Sequence, residues 1–195
     1  MKKTLIILVL LFSSSVLADD ISEFQIEGIS IGDSLLDYFS IDELVNNQND
    51  TSFKNKDYAK YEFYKLDFFK KYESVQFFVK SNDTKYIVKF ISGAIFYDDI
   101  KSCIVDKKEI VSEIVKLFDN NVTINDIGEK NHNSDESGKS KTYNVYFDFK
   151  SGDYVNVRCV DWSIKIEEKY NWSDNLAIHL VSSEFSDWLN YYAYN

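Results

Sequence analysis

The chain has 195 residues and a formal net charge of −10, from 32 acidic and 22 basic side chains. That balance argues against a body built to hold duplex nucleic acid or an anionic lipid surface, because both repel a negative protein. Arg158 is the sole arginine, proline is absent, and Asn, Ile, Lys, Phe and Tyr abound, a bias expected from an AT-rich bacterial genome.

Residues 1–18 have the layout of a secretory signal peptide. Lys2 and Lys3 give a basic start, residues 5–12 are apolar, and Val16-Leu17-Ala18 precedes the expected cut. The apolar run is too short to span a bilayer, which takes about 20 residues. Asp19 stands where a lipid-anchored product needs Cys. The expected product is an exported chain of residues 19–195, periplasmic or secreted, with no stable membrane insertion. Loss of Lys2 and Lys3 takes its net charge from −10 to −12.

Phe24, Ile26, Ile29 and Ile31 mark an extended lead-in, interrupted by Gly28 and Gly32. Asp33 or Ser34 can cap a short helix carrying Leu35, Leu36, Tyr38 and Phe39. Ser40-Ile41-Asp42-Glu43 reads as a capping box and predicts a further helical turn through Val45. Residues 46–57 are loop-like. Strands are predicted over 58–66, 75–80 and 85–97, the last two joined by the turn Ser81-Asn82-Asp83-Thr84. Alternation groups Ala59, Tyr61 and Phe63 on one face, then Val75, Phe77 and Val79, then Tyr86, Val88 and Phe90. Gly93 is predicted to mark a bulge.

Asp98 or Asp99 can cap a central helix with Ile100, Cys103, Ile104, Val111, Ile114, Val115 and Phe118 at helical spacing. Asp106-Lys107-Lys108-Glu109 offers a second possible start. Residues 125–141 are the most polar stretch and read as a mobile loop. Strands resume over 142–149, where Tyr143, Val145, Phe147 and Phe149 alternate, and over 154–162, which carries Cys159. Ser151-Gly152-Asp153 between them is a tight turn. Leu176, Ile178 and Leu180 make a further strand, and Ser182 or Ser183 caps a final helix with Phe185, Trp188, Leu189 and Tyr192 on one stripe. This order predicts a single α+β domain over 19–195, antiparallel sheet packed with a few helices. It also allows a division into two helix-plus-three-strand units, about 24–97 and 98–195.

Cys103 and Cys159 are the only cysteines, 56 positions apart. In an oxidising compartment they predict a disulfide; the alternative is two separate buried thiols.

No catalytic residue, cofactor or metal site is expected. His132 lies in a polar loop and reads as solvated; His179 alternates with Ile178 and Leu180 and reads as a part-buried structural residue. No nucleophile motif accompanies either. Gly138-Lys139-Ser140 lacks the earlier glycine of a phosphate-binding loop. The calcium-loop-like start at Asp119 has Ile124 at the sixth position and Lys130 at the twelfth, where Gly and Glu belong. The acid pairs Asp98-Asp99, Asp135-Glu136 and Glu167-Glu168 read as solvated surface. Trp162, Trp172 and Trp188 could form a sugar-stacking platform, but core filling is the favoured reading. The terminal helix with Trp188, Tyr191, Tyr192 and Tyr194 is the candidate interaction surface.

The segment Phe24-Gln25-Ile26-Glu27-Gly28-Ile29-Ser30-Ile31-Gly32-Asp33-Ser34-Leu35-Leu36-Asp37-Tyr38-Phe39, with Ser92-Gly93-Ala94-Ile95, Cys103 and Cys159-Val160-Asp161-Trp162, resembles an uncharacterised family of small exported proteins from AT-rich marine bacteria. The resemblance implies no activity, cofactor or site. The expected role is a non-enzymatic binding or interaction module of the cell envelope, with an unknown envelope protein or ligand as partner and no nucleic acid. The alternatives are a hydrolase acting on envelope polymers through Asp or Glu residues, and a structural partner in envelope assembly.

Overall fold

The protein is described by a computed structural model that covers residues 20–118 and 122–195. The expected signal peptide, and Asp119 at the head of the calcium-loop-like segment, lie outside the described residues.

Helices α1 (Ile41–Asn46), α2 (Ile100–Val115), α3 (Ile164–Tyr170) and α4 (Ser183–Tyr191) accompany strands β1 (Gln48–Asn49), β2 (Tyr58–Tyr64), β3 (Ser74–Lys80), β4 (Val88–Phe96), β5 (Val122–Asn131), β6 (Lys141–Phe149), β7 (Tyr154–Asp161) and β8 (Asn175–Val181). The fold is α+β. All eight strands form one antiparallel sheet in the order β1-β2-β3-β4-β8-β7-β6-β5. The first four run outward to inward in chain order and the last four mirror them. The two series meet where β4 pairs with β8.

The helix starts follow the expected caps. Ser40 and Glu43 make the reciprocal capping box of α1. Asp99 accepts from the Lys101 and Ser102 amides and so starts α2 ahead of the alternative at Asp106. Ser182 accepts from the Phe185 amide at α4. Each cap satisfies backbone donors that the first helical turn leaves without partners.

One face of the sheet carries the main core. Phe63, Phe77, Ile91, Phe147, Val157 and Leu176 are buried there, against Cys103, Ile110 and Ile114 of α2 and against Ile21, Phe24, Leu35 and Phe39 of the lead-in. Val115, expected on the buried stripe, is exposed, and Ile110 takes the inward place. Cys103 and Cys159 are disulfide-bonded, with Cα atoms 6.1 Å apart, which ties α2 to β7. Such a bond fits an oxidising compartment. Among the described residues no helix is long and apolar enough to cross a membrane.

Three expectations are corrected. Residues 125–141 are not a free loop: β5 pairs along its length with β6, and Asp135 and Ser140 inside the following turn are buried. Phe90 does not share a face with Val88. The β3–β4 register shifts there, with Val79 opposite Val88 but Phe78 opposite Phe90. One extra residue in β4 reverses the side-chain alternation beyond it. Gly93 is therefore not the bulge. It gives close access instead: a Cβ at Gly93 would stand 2.5 Å from the Tyr72 ring.

Replacing both cysteines by Ala should lower unfolding stability by about 4 kcal/mol on the loop-entropy account of a 56-residue loop. An unchanged denaturant midpoint would count against that account. Gly93→Ala should destabilise by about 1–3 kcal/mol by forcing Tyr72 from its seat. A midpoint within error of the parent would show that the ring has somewhere else to go.

Candidate functional site

Among the described residues, the second face of the sheet is covered by α4 at one end. Phe185 and Trp188 of α4 pack on Tyr58, Phe78, Phe90 and Val181 in a separate aromatic cluster. The Trp188 Nε1–H donates to Asn55 Oδ1 at 2.9 Å. Trp188 is thus buried, whereas Tyr191, Tyr192 and Tyr194 of the expected interaction surface are each about 60% exposed. The structure separates that four-residue group into a core anchor and three surface tyrosines.

Beyond this cluster the face is open and concave. Cross-strand register lays one polar row over five strands. Glu62 pairs with Gln76, Gln76 with Ser92, Ser92 with His179, and His179 with Asn156. The adjacent row runs Ser74, Ala94, Ala177, Arg158 and Asn144. Small side chains at Ser92, Ala94 and Ala177 leave the middle of the sheet low. The result is a cleft of about 690 Å³ lined by the members of these rows from Glu62 to His179 and from Ser74 to Arg158, and by Asn175, Trp162 and Trp172; Asn156 and Asn144 lie buried beyond it.

The far wall is built by α3 and its flanks. Asn171 ends α3 in the left-handed conformation at φ 55°, the turn geometry in which Asn is well tolerated. Trp172 then stands 4.7 Å from Trp162, centroid to centroid, and Tyr170 stacks on Trp172 at 4.8 Å. Asp174 holds the return by accepting from the Trp162 amide at 2.7 Å. Trp172 is 41% exposed. Core filling accounts for Trp188 but not for the other two tryptophans.

His132 belongs to the same wall. Asp135 accepts from the Ser140 amide and hydroxyl and from the Ser163 hydroxyl. Hydrogen bonds from Ser137 and Ser140 hold its carboxyl well below the usual range. This network pins the β5–β6 turn against the start of α3 and sets the His132 ring 4.3 Å from Trp162. Burial, and then the charge of Arg158, push His132 down to about 4, so it is neutral at pH 7.

The electrostatics of the floor are asymmetric. Glu62 is fully engaged: Lys60 lies 2.8 Å away, and Tyr64, Ser74 and Gln76 donate to its other oxygen. Burial opposes ionisation, yet the bonds from Lys60, Tyr64 and Gln76 prevail and lower its pKa. Glu62 is the carboxylate among the described residues that line the cleft. Arg158 is the opposite case. Burial lowers its pKa, though guanidinium remains protonated. Among the described residues its buried Nε has no hydrogen-bond partner, and neither does Nε2 of His179. Among the described residues no carboxylate forms an ion pair with Arg158. Burial, and then Arg158, keep His179 neutral, with its pKa well below 6.5.

No family model, curated protein or solved structure matches the chain. The polar row and Arg158 escape sequence reasoning because outward positions of a strand read as solvated. The available signal was that Asn156 and Arg158 alternate with Val155, Val157 and Cys159, in a chain that otherwise uses lysine.

A desolvated charge without a partner destabilises a fold. Arg158→Met should therefore raise stability by about 1 kcal/mol, or about 2–4 °C in Tm for a chain this size. A drop of that size on calorimetry would mean that Arg158 is a structural residue.

Proposed function

We propose that the protein is a non-enzymatic binding module, exported to an oxidising compartment, and that the open face of its sheet is the binding surface. The observation that carries this reading is the cleft itself. A polar row from Glu62 to His179 lies across four strands, the centre is kept low by Ser, Ala and Ala, and one side is walled by half-buried Trp162 and exposed Trp172. Ligand sites combine such concavity with a few convergent polar groups and aromatic walls. Unpartnered polar atoms at Arg158 and His179 support it, since buried polar groups in a purely structural surface are normally satisfied.

Binding is favoured over hydrolysis by the state of Glu62. A glycosidase needs two acids facing each other across the bond, one of them with a raised pKa. Glu62 is ionised and held by four donors. Export rests on the basic and apolar leader of residues 1–18 together with the Cys103–Cys159 bond.

The test is a thermal-shift screen of the oxidised chain against sugars, sugar acids, amino acids and short peptides. A ligand at a hundred times its Kd adds about 2.7 kcal/mol, which is about 5–10 °C in Tm. Ser92→Trp and Ala94→Leu fill the floor and should abolish that rise. A ligand that stabilises both variants as strongly as the parent binds elsewhere, and the cleft reading then fails.

A further inference from the structure

The two ends of the cleft differ in chemistry, and the difference specifies a ligand. At one end Glu62 and Lys60 neutralise each other at 2.8 Å. Four strand spacings away, about 19 Å at the usual separation, Arg158 projects from β7 onto the same face and has, among the described residues, no counter-ion and an unpartnered Nε. Tyr146 and Tyr154 are the groups whose charge would favour it, and both tyrosines are neutral at pH 7, their pKa values raised by burial. The site thus presents one uncompensated positive charge. One positive charge matches one negative charge, and a planar guanidinium matches the two oxygens of a carboxylate.

The remaining surface says what the carboxylate is attached to. Trp162 follows β7 closely after Arg158, and Trp162 and Trp172 line the cleft with their rings tilted by 50°, Tyr170 stacking on Trp172. Such faces take the C–H side of a sugar ring or another flat body. On the tryptophan side of Arg158 the cleft is lined by Asn175 and Ser173, and on its other side by Ser92, His179 and Gln76 of the polar row. An aromatic acid has few groups to meet them. A ring bearing several hydroxyls meets all three features together.

Resting on the reading of the open face as a binding surface, we infer that the ligand is an acidic sugar. Its carboxylate pairs with Arg158, its hydroxyls engage the polar side chains that flank Arg158, Asn175 and Ser173 on one side and Ser92 on the other, and its ring lies against Trp162 and Trp172. The protein carries net −10 overall, so the Arg158 end is a local positive site on a negative body. Polyanions are repelled at a distance while a single carboxylate is accepted.

Isothermal titration of the oxidised, signal-free chain with methyl β-D-glucuronide, methyl β-D-glucoside and sodium acetate tests this. These probes carry ring and carboxylate, ring alone, and carboxylate alone. The glucuronide should bind about tenfold or more tightly than either of the others, since one charge-assisted bidentate pair commonly amounts to a factor of that order. Arg158→Gln should erase the preference for glucuronide over glucoside, and Trp172→Ala should weaken both sugars. Equal binding of glucuronide and glucoside by the parent overturns the role of Arg158. Equal binding of acetate and glucuronide overturns the sugar. Failure of both sugars to bind, while another compound in the thermal-shift screen loses its effect in Ser92→Trp, overturns the acidic sugar and leaves the cleft as the binding surface.

Discussion

The pairing of β4 with β8 is the contact on which the rest of the structure depends. It joins two four-stranded series into one sheet and aligns Ser92 with His179 and Ala94 with Ala177. Those residues are far apart in the chain, so the alignment is set by long-range packing. On the inner face the same register puts Ile91 opposite Leu180 and Gly93 opposite Ile178, in the core that α2 covers. A one-residue slip would send that apolar set outward and destroy both faces together. The core therefore fixes the register, and the register assembles the site.

The distribution of helices explains why a cleft exists. The main core has α2, the lead-in segment and a disulfide on one side. The other side has α4 at one end and the α3 return at the other. They stand at opposite ends of the strands, α4 on the Phe90–Val181 row and the return beside Asn175 and Trp162, and the small residues between them leave a trough. The β4 bulge contributes directly. By reversing alternation after Val88 it turns Phe90 toward α4 and places Ser92 and Ala94 in the trough rather than in the core.

Stability and function pull apart at Arg158. The surrounding network satisfies nearly every other buried polar group, including Asp135 through three hydroxyl and amide donors from Ser140 and Ser163, and Glu62 through four neighbours. Arg158 is left with a buried, unpartnered Nε. The proposed binding role accounts for this exception and for the neighbouring Nε2 of His179, since a site leaves groups unmet only until its ligand meets them.

Local sequence determined the strands from Tyr58 to Phe96 and from Thr142 to Val181, the inward set Val145, Phe147 and Phe149, and the cap at Ser40, because alternation and capping are written within a few residues; it left two or three candidate caps for α2 and α4, among which the structure selects Asp99 and Ser182. It also determined the cysteine pair, since two cysteines allow one bond. It did not show α3, a seven-residue helix with no side-chain cap, nor β5, an edge strand whose exposed residues carry no burial pattern. Nor could it sort Trp162 and Trp172 from Trp188: all three are equally apolar, and only the return of the chain at Asn171 and the landing of α4 on the sheet decide which is covered. The polar row and the isolation of Arg158 belong wholly to tertiary structure. Each member is an ordinary outward residue on its own strand, and it becomes part of a site only when register sets the strands side by side.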